Sequence, residues 1–206
     1  MAIARLSTGE IYTTYEEINK IVKPMQVGGF NLAEEVSASV SELPMPVQQE
    51  GAEYLLKALD QEAVAMTERE GFVYRRVGCY VPPEETGGIC YFSTRHESDP
   101  GLEEEMSESD LKAYLTPHHV LASDLHFVFS GLITKGLLLE DGRQAVVYAQ
   151  AGDWIRLNQT ILNWPIFPSD GPVVAISYFD RSPNPETNDY DMDLHPEVEV
   201  LPTMLF

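Results

Sequence analysis

Basic residues are scarce in this chain. Lys and Arg number 13 against 33 Asp and Glu, which gives a formal net charge of -20. Nucleic acid and anionic membranes both need a net basic face, so neither is an expected partner. Solubility is the plain reading of such acidity. Cysteine is scarcer still, with only Cys79 and Cys90 and no C-x-x-C spacing. Two unpaired thiols in a reducing cytoplasm are the expectation; a disulfide between them stays open, because sequence separation cannot give its geometry. No apolar run reaches the roughly 18 residues of a membrane-spanning helix. Residues 1–10 lack the apolar core of a signal peptide, so the expected location is cytoplasmic.

What is present is an ordinary globular composition. Apolar residues make up 44% and aromatics 10% of 206 residues, enough for one domain with a real core and a substantial appendage. The pattern divides the chain into three regions: a helical region over 1–71 packed on a barrel, the barrel itself over 72–180, and an acidic extended tail over 181–206. No internal repeat is present.

The helical region is marked by caps. Thr14 and Glu17 form a capping box ahead of a helix from Tyr15 to about Val22, stopped by Pro24. A second helix is expected from near Asn31 to before Pro44. A third spans 47–70, with Gly71 placed to end it. Its Ala52, Leu55, Leu59, Ala63 and Met66 recur at spacings of three and four, which makes one stripe to pack on a sheet.

From Phe72 the period changes to two. Strands are expected over 72–77, 125–129, 132–139, 145–148, 154–157 and 173–179, with Asp141-Gly142 as a tight hairpin turn. Val81-Pro82-Pro83 breaks the first strand. Residues 84–110 read as a long connection, whose Glu103-Glu104-Glu105 run is a solvated loop or helix start, and 109–115 as one short helix. Short strands joined by turns make a mainly β fold with N-terminal helices, closed as a barrel or jelly roll that hides its edges.

Three stretches carry a family resemblance. They are Arg69-Glu70-Gly71-Phe72; residues 113–131, A-Y-L-T-P-H-H-V-L-A-S-D-L-H-F-V-F-S-G; and residues 152–163, G-D-W-I-R-L-N-Q-T-I-L-N. Together they resemble the acireductone dioxygenase family of cupins, which reads E-x-G-Y, then H-x-H-x-x-x-E with an apolar strand and Gly, then G-D-x-x-x-L-P-x-G-x-x-H. The resemblance covers about residues 60–180. It implies a cupin barrel, a double-stranded β-helix or jelly roll, and speaks more to architecture than to reaction.

In that family three His and one Glu hold Fe(II) or Ni(II). Here the corresponding positions are His118, Val120, Asp124 and Asn163. Valine offers no lone pair, and a neutral amide is a poor ligand beside imidazole. The metal motif is therefore degenerate by this resemblance, and no cofactor is the favoured expectation, with Fe(II) or Ni(II) as the alternative. His126 lies two residues beyond Asp124 and shares its strand face. The resemblance places a basic, interior-facing residue there. Three readings stand: His118, Asp124 and His126 as a shifted metal set; the same groups working without metal; or hydrogen-bonded barrel histidines with no catalytic part. His119 should point the opposite way, and His195 should be exposed in the tail.

The functional expectations follow from those readings. A metal-free cupin enzyme would use His118, Asp124, His126 and Asn163 on a small enolisable substrate, by isomerisation, dehydration or cyclisation, with a recruited role in specialised metabolism as its setting. Asn163 would donate a hydrogen bond to a substrate oxygen. Val120, Val128, Arg156, Trp164 and Tyr178 would contact substrate, with Phe127 and Phe129 as further aromatic walls. The alternatives are a metal-dependent dioxygenase and a non-catalytic small-molecule binder. A homodimer through a sheet edge or the N-terminal helices is a candidate assembly, and the tail, with its apolar residues 201–206, is a candidate cover for the barrel mouth.

Overall fold

The computed structural model describes residues 1–40, 43, 49–80, 89–94, 102–105, 108–166, 173–181 and 192–201. The elements in chain order are β1 (Ile3–Leu6), β2 (Ile11–Tyr12), α1 (Tyr15–Ile21), β3 (Gln26–Gly29), α2 (Glu34–Val40), α3 (Gln49–Lys57) and α4 (Gln61–Arg69). Then follow β4 (Tyr74–Tyr80), β5 (Ile89–Thr94), β6 (Leu102–Glu105), α5 (Glu108–Leu115), β7 (His118–Val120) and β8 (Asp124–Ser130). The last are β9 (Leu132–Leu138), β10 (Gln144–Gln150), β11 (Asp153–Leu157), β12 (Leu162–Ile166), β13 (Val173–Phe179) and β14 (Met192–Leu194). They form two seven-stranded sheets, ordered β14-β7-β12-β9-β10-β1-β2 and β3-β11-β8-β13-β4-β5-β6. All their pairings are antiparallel, as in a jelly roll.

Local signals account for most of the helices. Thr14 caps α1, its Oγ1 accepting from the Glu17 amide at 3.3 Å. The helix expected over 47–70 is two helices, because Asp60 is itself a cap. Its Oδ1 accepts from the Ala63 amide at 2.7 Å and its Oδ2 from the Asn31 amide at 2.7 Å. Gly71 has φ +71, the left-handed turn that closes α4. The predicted stripe survives the break: Ala52, Leu55, Leu59 and Ala63 are buried and Met66 packs against them.

Residues 1–71 are not simply helical. Ala2, Ala4 and Leu6 alternate on β1 and are buried between the sheets, and β1 pairs β10 while β3 pairs β11. β3 was illegible because Gln26-Val27-Gly28-Gly29 has weak strand propensity. Tertiary packing requires a glycine there: a Cβ on Gly28 would lie 2.4 Å from the Trp154 indole.

Other expectations are corrected in the same way. The 84–110 connection contains strands β5 and β6, and Glu103, Glu104 and Glu105 lie on β6 instead of in a loop or helix start. The β4–β5 register sets Cys79 opposite Cys90. Residues 81–88, 95–101, 182–191 and 202–206, including the 81–83 break, lie outside the described residues. The described part of the tail lies on the fold: β14 pairs β7, and farther on Gln144 Nε2 donates to the Glu199 carbonyl at 2.7 Å while Leu201 N donates to Gln144 Oε1 at 3.0 Å. No helix among the described residues is long and apolar enough to cross a membrane.

Two cores result. Between the sheets lie Val128, Ile133, Leu137, Val147, Ile155 and Ala175 with the N-terminal Ala4, Leu6, Met25 and Val27. On the far side of the second sheet, Leu125, Phe127, Phe129, Val174 and Ile176 are covered by α2, α3 and α4. Each large side chain buried there contributes about 1.5–3 kcal/mol. β8 and β13 are thus buried on both faces, and that decides where their polar residues go.

Candidate functional site

Alternation along β8 sends Leu125, Phe127 and Phe129 to the helices and Asp124, His126 and Val128 to the space between the sheets. The β13 register sets Ser177 opposite His126, and β4 sets Arg76 opposite Ser177. From the facing sheet, β7 and β12 bring His118 opposite Asn163, although 45 residues separate them. Asp124, His126, Ser177, His118 and Asn163 are all no more than 4% exposed. The structure therefore gathers all the sequence-predicted acid–base residues into one buried region.

Their hydrogen bonds assign each a role. His118 Nδ1–H donates to the Thr116 carbonyl at 2.6 Å, which leaves Nε2 as a bare lone pair with no partner. Burial pushes His118 down to about 4, helped by the Lys135 ammonium, while the Thr116 carbonyl and Asp124 pull the other way. His118 is a neutral imidazole near pH 7. Ser177 Oγ lies 2.7 Å from His126 Nδ1, and His126 Nε2 lies 3.0 Å from Asp124 Oδ2. The Nε2–Asp124 contact is electrostatic, because the ring nitrogen is not in hydrogen-bond alignment with the carboxylate.

Asn163 departs from its expected role. Its Nδ2 donates to the carbonyls of His118 at 3.3 Å and Ile161 at 3.4 Å, so the donor is already used. With the amide oriented by those bonds, Asn163 presents Oδ1, an acceptor without a partner. Asp124 Oδ1 is likewise unpartnered.

Among solved structures, the chain matches an acireductone dioxygenase from Bacillus anthracis with a cadmium ion in its active centre. The TM-score is 0.66 at 16% sequence identity, over 88% of this chain and 94% of that one. This is the acireductone dioxygenase fold, a cupin. At that identity the likeness carries architecture and nothing about the reaction. No protein-family model matches the sequence, and no curated protein matches it.

By the resemblance, the acireductone dioxygenase ligand positions fall on His118, Val120, Asp124 and Asn163. Among the described residues no three His, Cys, Asp or Glu side chains converge to hold an ion. The second position, Val120, has no lone pair, and the Lys135 ammonium lies close enough to His118 to disfavour a second positive charge. His118, Asp124 and His126 are each buried.

Several expected contacts lie elsewhere. Tyr178 packs on Phe72 and Phe127 on the helix-covered face, with ring centres 6.4 and 6.1 Å apart. Phe127 and Phe129 pack against Phe30 on that same face. Arg156 also points outward and pairs with Glu70, Nη2 to Oε2 at 2.6 Å. Trp164 lies on the strand face opposite Asn163, flat over Gly136, where a Cβ would sit 2.1 Å from the indole. None of these lines the interior polar region, because each lies on the outer face of its sheet. Val128 does face the interior, as a core residue beside His126. Val120 packs on Tyr74, Ala122 and Phe179 at the Asp124 end. His119 turns away from the site, its ring 5.0 Å from that of His195. His195 is half-buried and not fully exposed, and hydrogen bonding to Glu197 raises its pKa.

Sequence reasoning missed Lys135, Ser177, Arg76 and Tyr114. The available signal was a polar residue interrupting an apolar strand, as in L-I-T-K-G-L-L and V-V-A-I-S-Y-F. Lys135 is 4% exposed. Its Nζ donates to Tyr114 Oη at 3.2 Å and sits 5.2 Å from the centre of that ring. The Tyr114 ring in turn lies 5.7 Å from that of His118.

Proposed function

We propose that the chain is a cupin-fold enzyme that takes a small enolisable compound between its sheets and moves protons on it without a metal step. Isomerisation, dehydration and cyclisation are the reactions within reach. One observation carries the reading: His118 Nε2, Asp124 Oδ1, His126 Nε2 and Asn163 Oδ1 are buried on facing sheets and left without hydrogen-bond partners. Each such atom costs the fold about 1–3 kcal/mol, which a bound molecule can return.

The roles follow from the geometry. Asp124 Oδ1 accepts the proton from carbon. His126 acts from its imidazolium form: Nδ1–H donates to Ser177 Oγ, and the Nε2 proton passes to the oxygen that becomes the enol, leaving a neutral imidazole. The Asp124 carboxylate 3.0 Å away stabilises the imidazolium whenever His126 holds both protons. His118, neutral, and Asn163 accept hydrogen bonds from substrate hydroxyls and orient it.

The test is carbon-bound deuterium uptake in D₂O, followed by NMR over a panel of 2-oxo and 2-hydroxycarbonyl compounds. At least one compound should exchange, and His126→Phe should slow that exchange by about 100-fold or more. A panel without exchange would leave only the non-catalytic binding reading. Near-stoichiometric iron or nickel in untagged protein, with exchange lost on its removal, would overturn the metal-free chemistry.

A further inference from the structure

Among the described residues the polar region holds three unpartnered acceptors and a buried ammonium that pairs with no carboxylate. Lys135 places three N–H donors in the interior, and Tyr114 Oη takes one of them. A buried ammonium held by a phenol oxygen and an aromatic face is short of negative charge. Against it stand His118 Nε2, Asp124 Oδ1 and Asn163 Oδ1, which can only accept. Arg76, buried at 7%, stacks near Tyr74 and Phe179 on the same interior face. A neutral carbonyl compound would leave the ammonium unpaired. A carboxylate without hydroxyls would leave the acceptors bare.

We propose that the site takes a small hydroxylated carboxylate, with its anionic oxygens on Lys135 and its hydroxyls donating to His118 Nε2 and Asn163 Oδ1, which leaves Asp124 Oδ1 facing carbon. This names the substrate class of the site proposed above and rests on that site being the binding site. The whole chain, at -20, repels anions at long range. Selection for an anion therefore falls to the buried ammonium, where the low dielectric makes one charge-assisted hydrogen bond count for more than in water.

The experiment is a set of NMR titrations with glycerate, glycerol and propionate, repeated with gluconate, sorbitol and hexanoate. The three compounds of each set share a chain length and separate charge from hydroxyls. Glycerate or gluconate should bind at least about tenfold more tightly than both of its relatives, the range expected for one charge-assisted hydrogen bond. Lys135→Met should erase the advantage over the polyol, and Asn163→Leu should reduce the advantage over the plain acid. Folding of each variant is checked by circular dichroism, and Lys135→Gln replaces Lys135→Met if the latter does not fold. Equal binding within both sets, no binding in either, or an advantage kept by a folded Lys135 variant would overturn the proposal. Preferential binding without deuterium exchange sinks the catalytic reading and keeps this one. Exchange on neutral compounds, with charge making no difference, does the reverse.

Discussion

Among the described residues two carboxylates are buried, and they are treated in opposite ways. Asp153, 1% exposed, has both oxygens engaged: Tyr15 Oη donates to Oδ1 at 2.6 Å and the Gln150 amide to Oδ2 at 3.0 Å. Asp124, 4% exposed, touches His126 through Oδ2 and leaves Oδ1 without a partner. The first ties α1 to the β10–β11 turn, where Gly152 sits at φ +87. The second is held in a region of unsatisfied groups. Burial alone does not distinguish a structural carboxylate from a reactive one; the count of satisfied lone pairs does.

Substitutions can break this comparison. Asp124→Asn should lower turnover of any compound found to exchange by about 100-fold or more, while changing the unfolding free energy by less than about 1 kcal/mol. An equal loss of stability in urea titration would make Asp124 structural too.

Acid should weaken the same region. His118 sits at about 4 when folded, below the 6.5 of an ordinary histidine, so over that interval the unfolded chain binds a proton that the folded one refuses. Stability therefore falls as pH drops from 6.5 towards 4, by on the order of 3 kcal/mol, and levels off below. His118→Gln should flatten that part of the pH–stability curve; an unchanged slope would assign the effect to other groups.

At the other carboxylate the order of effects reverses. Asp153→Asn should cost about 2 kcal/mol of stability, because an amide nitrogen would face a donor. Tyr15→Phe, which removes one of the two bonds, should cost roughly 1 kcal/mol. Neither should alter exchange kinetics once the protein is folded. A loss of exchange in folded Tyr15→Phe would erase the distinction between the two carboxylates.

The two carboxylates were unequally legible. Gly152-Asp153 stood out in the sequence as the start of a family-like stretch, while its left-handed turn and buried acceptor came from the structure. Asp124 and His126 were placed on one face by the period of two alone. That period could not say which face is inside. On β8 the apolar set is Leu125, Phe127 and Phe129, and an isolated barrel strand would turn it inward. The helices α2–α4 claim that face instead, which is why the expected aromatic walls fall outside the site.

By itself the sequence determined the cap at Thr14, the turns at Gly71 and Gly142, the stripe from Ala52 to Met66 and the strand alternation. All of these are settled by neighbours within a few residues. The tertiary structure alone decided that β1 and β3 join the sheets, that His118 meets Asn163, and that Lys135 and Ser177 reach the same interior as Asp124. The reason is that strand pairing joins residues dozens of positions apart. Which face of a strand becomes interior depends on what packs against its other side.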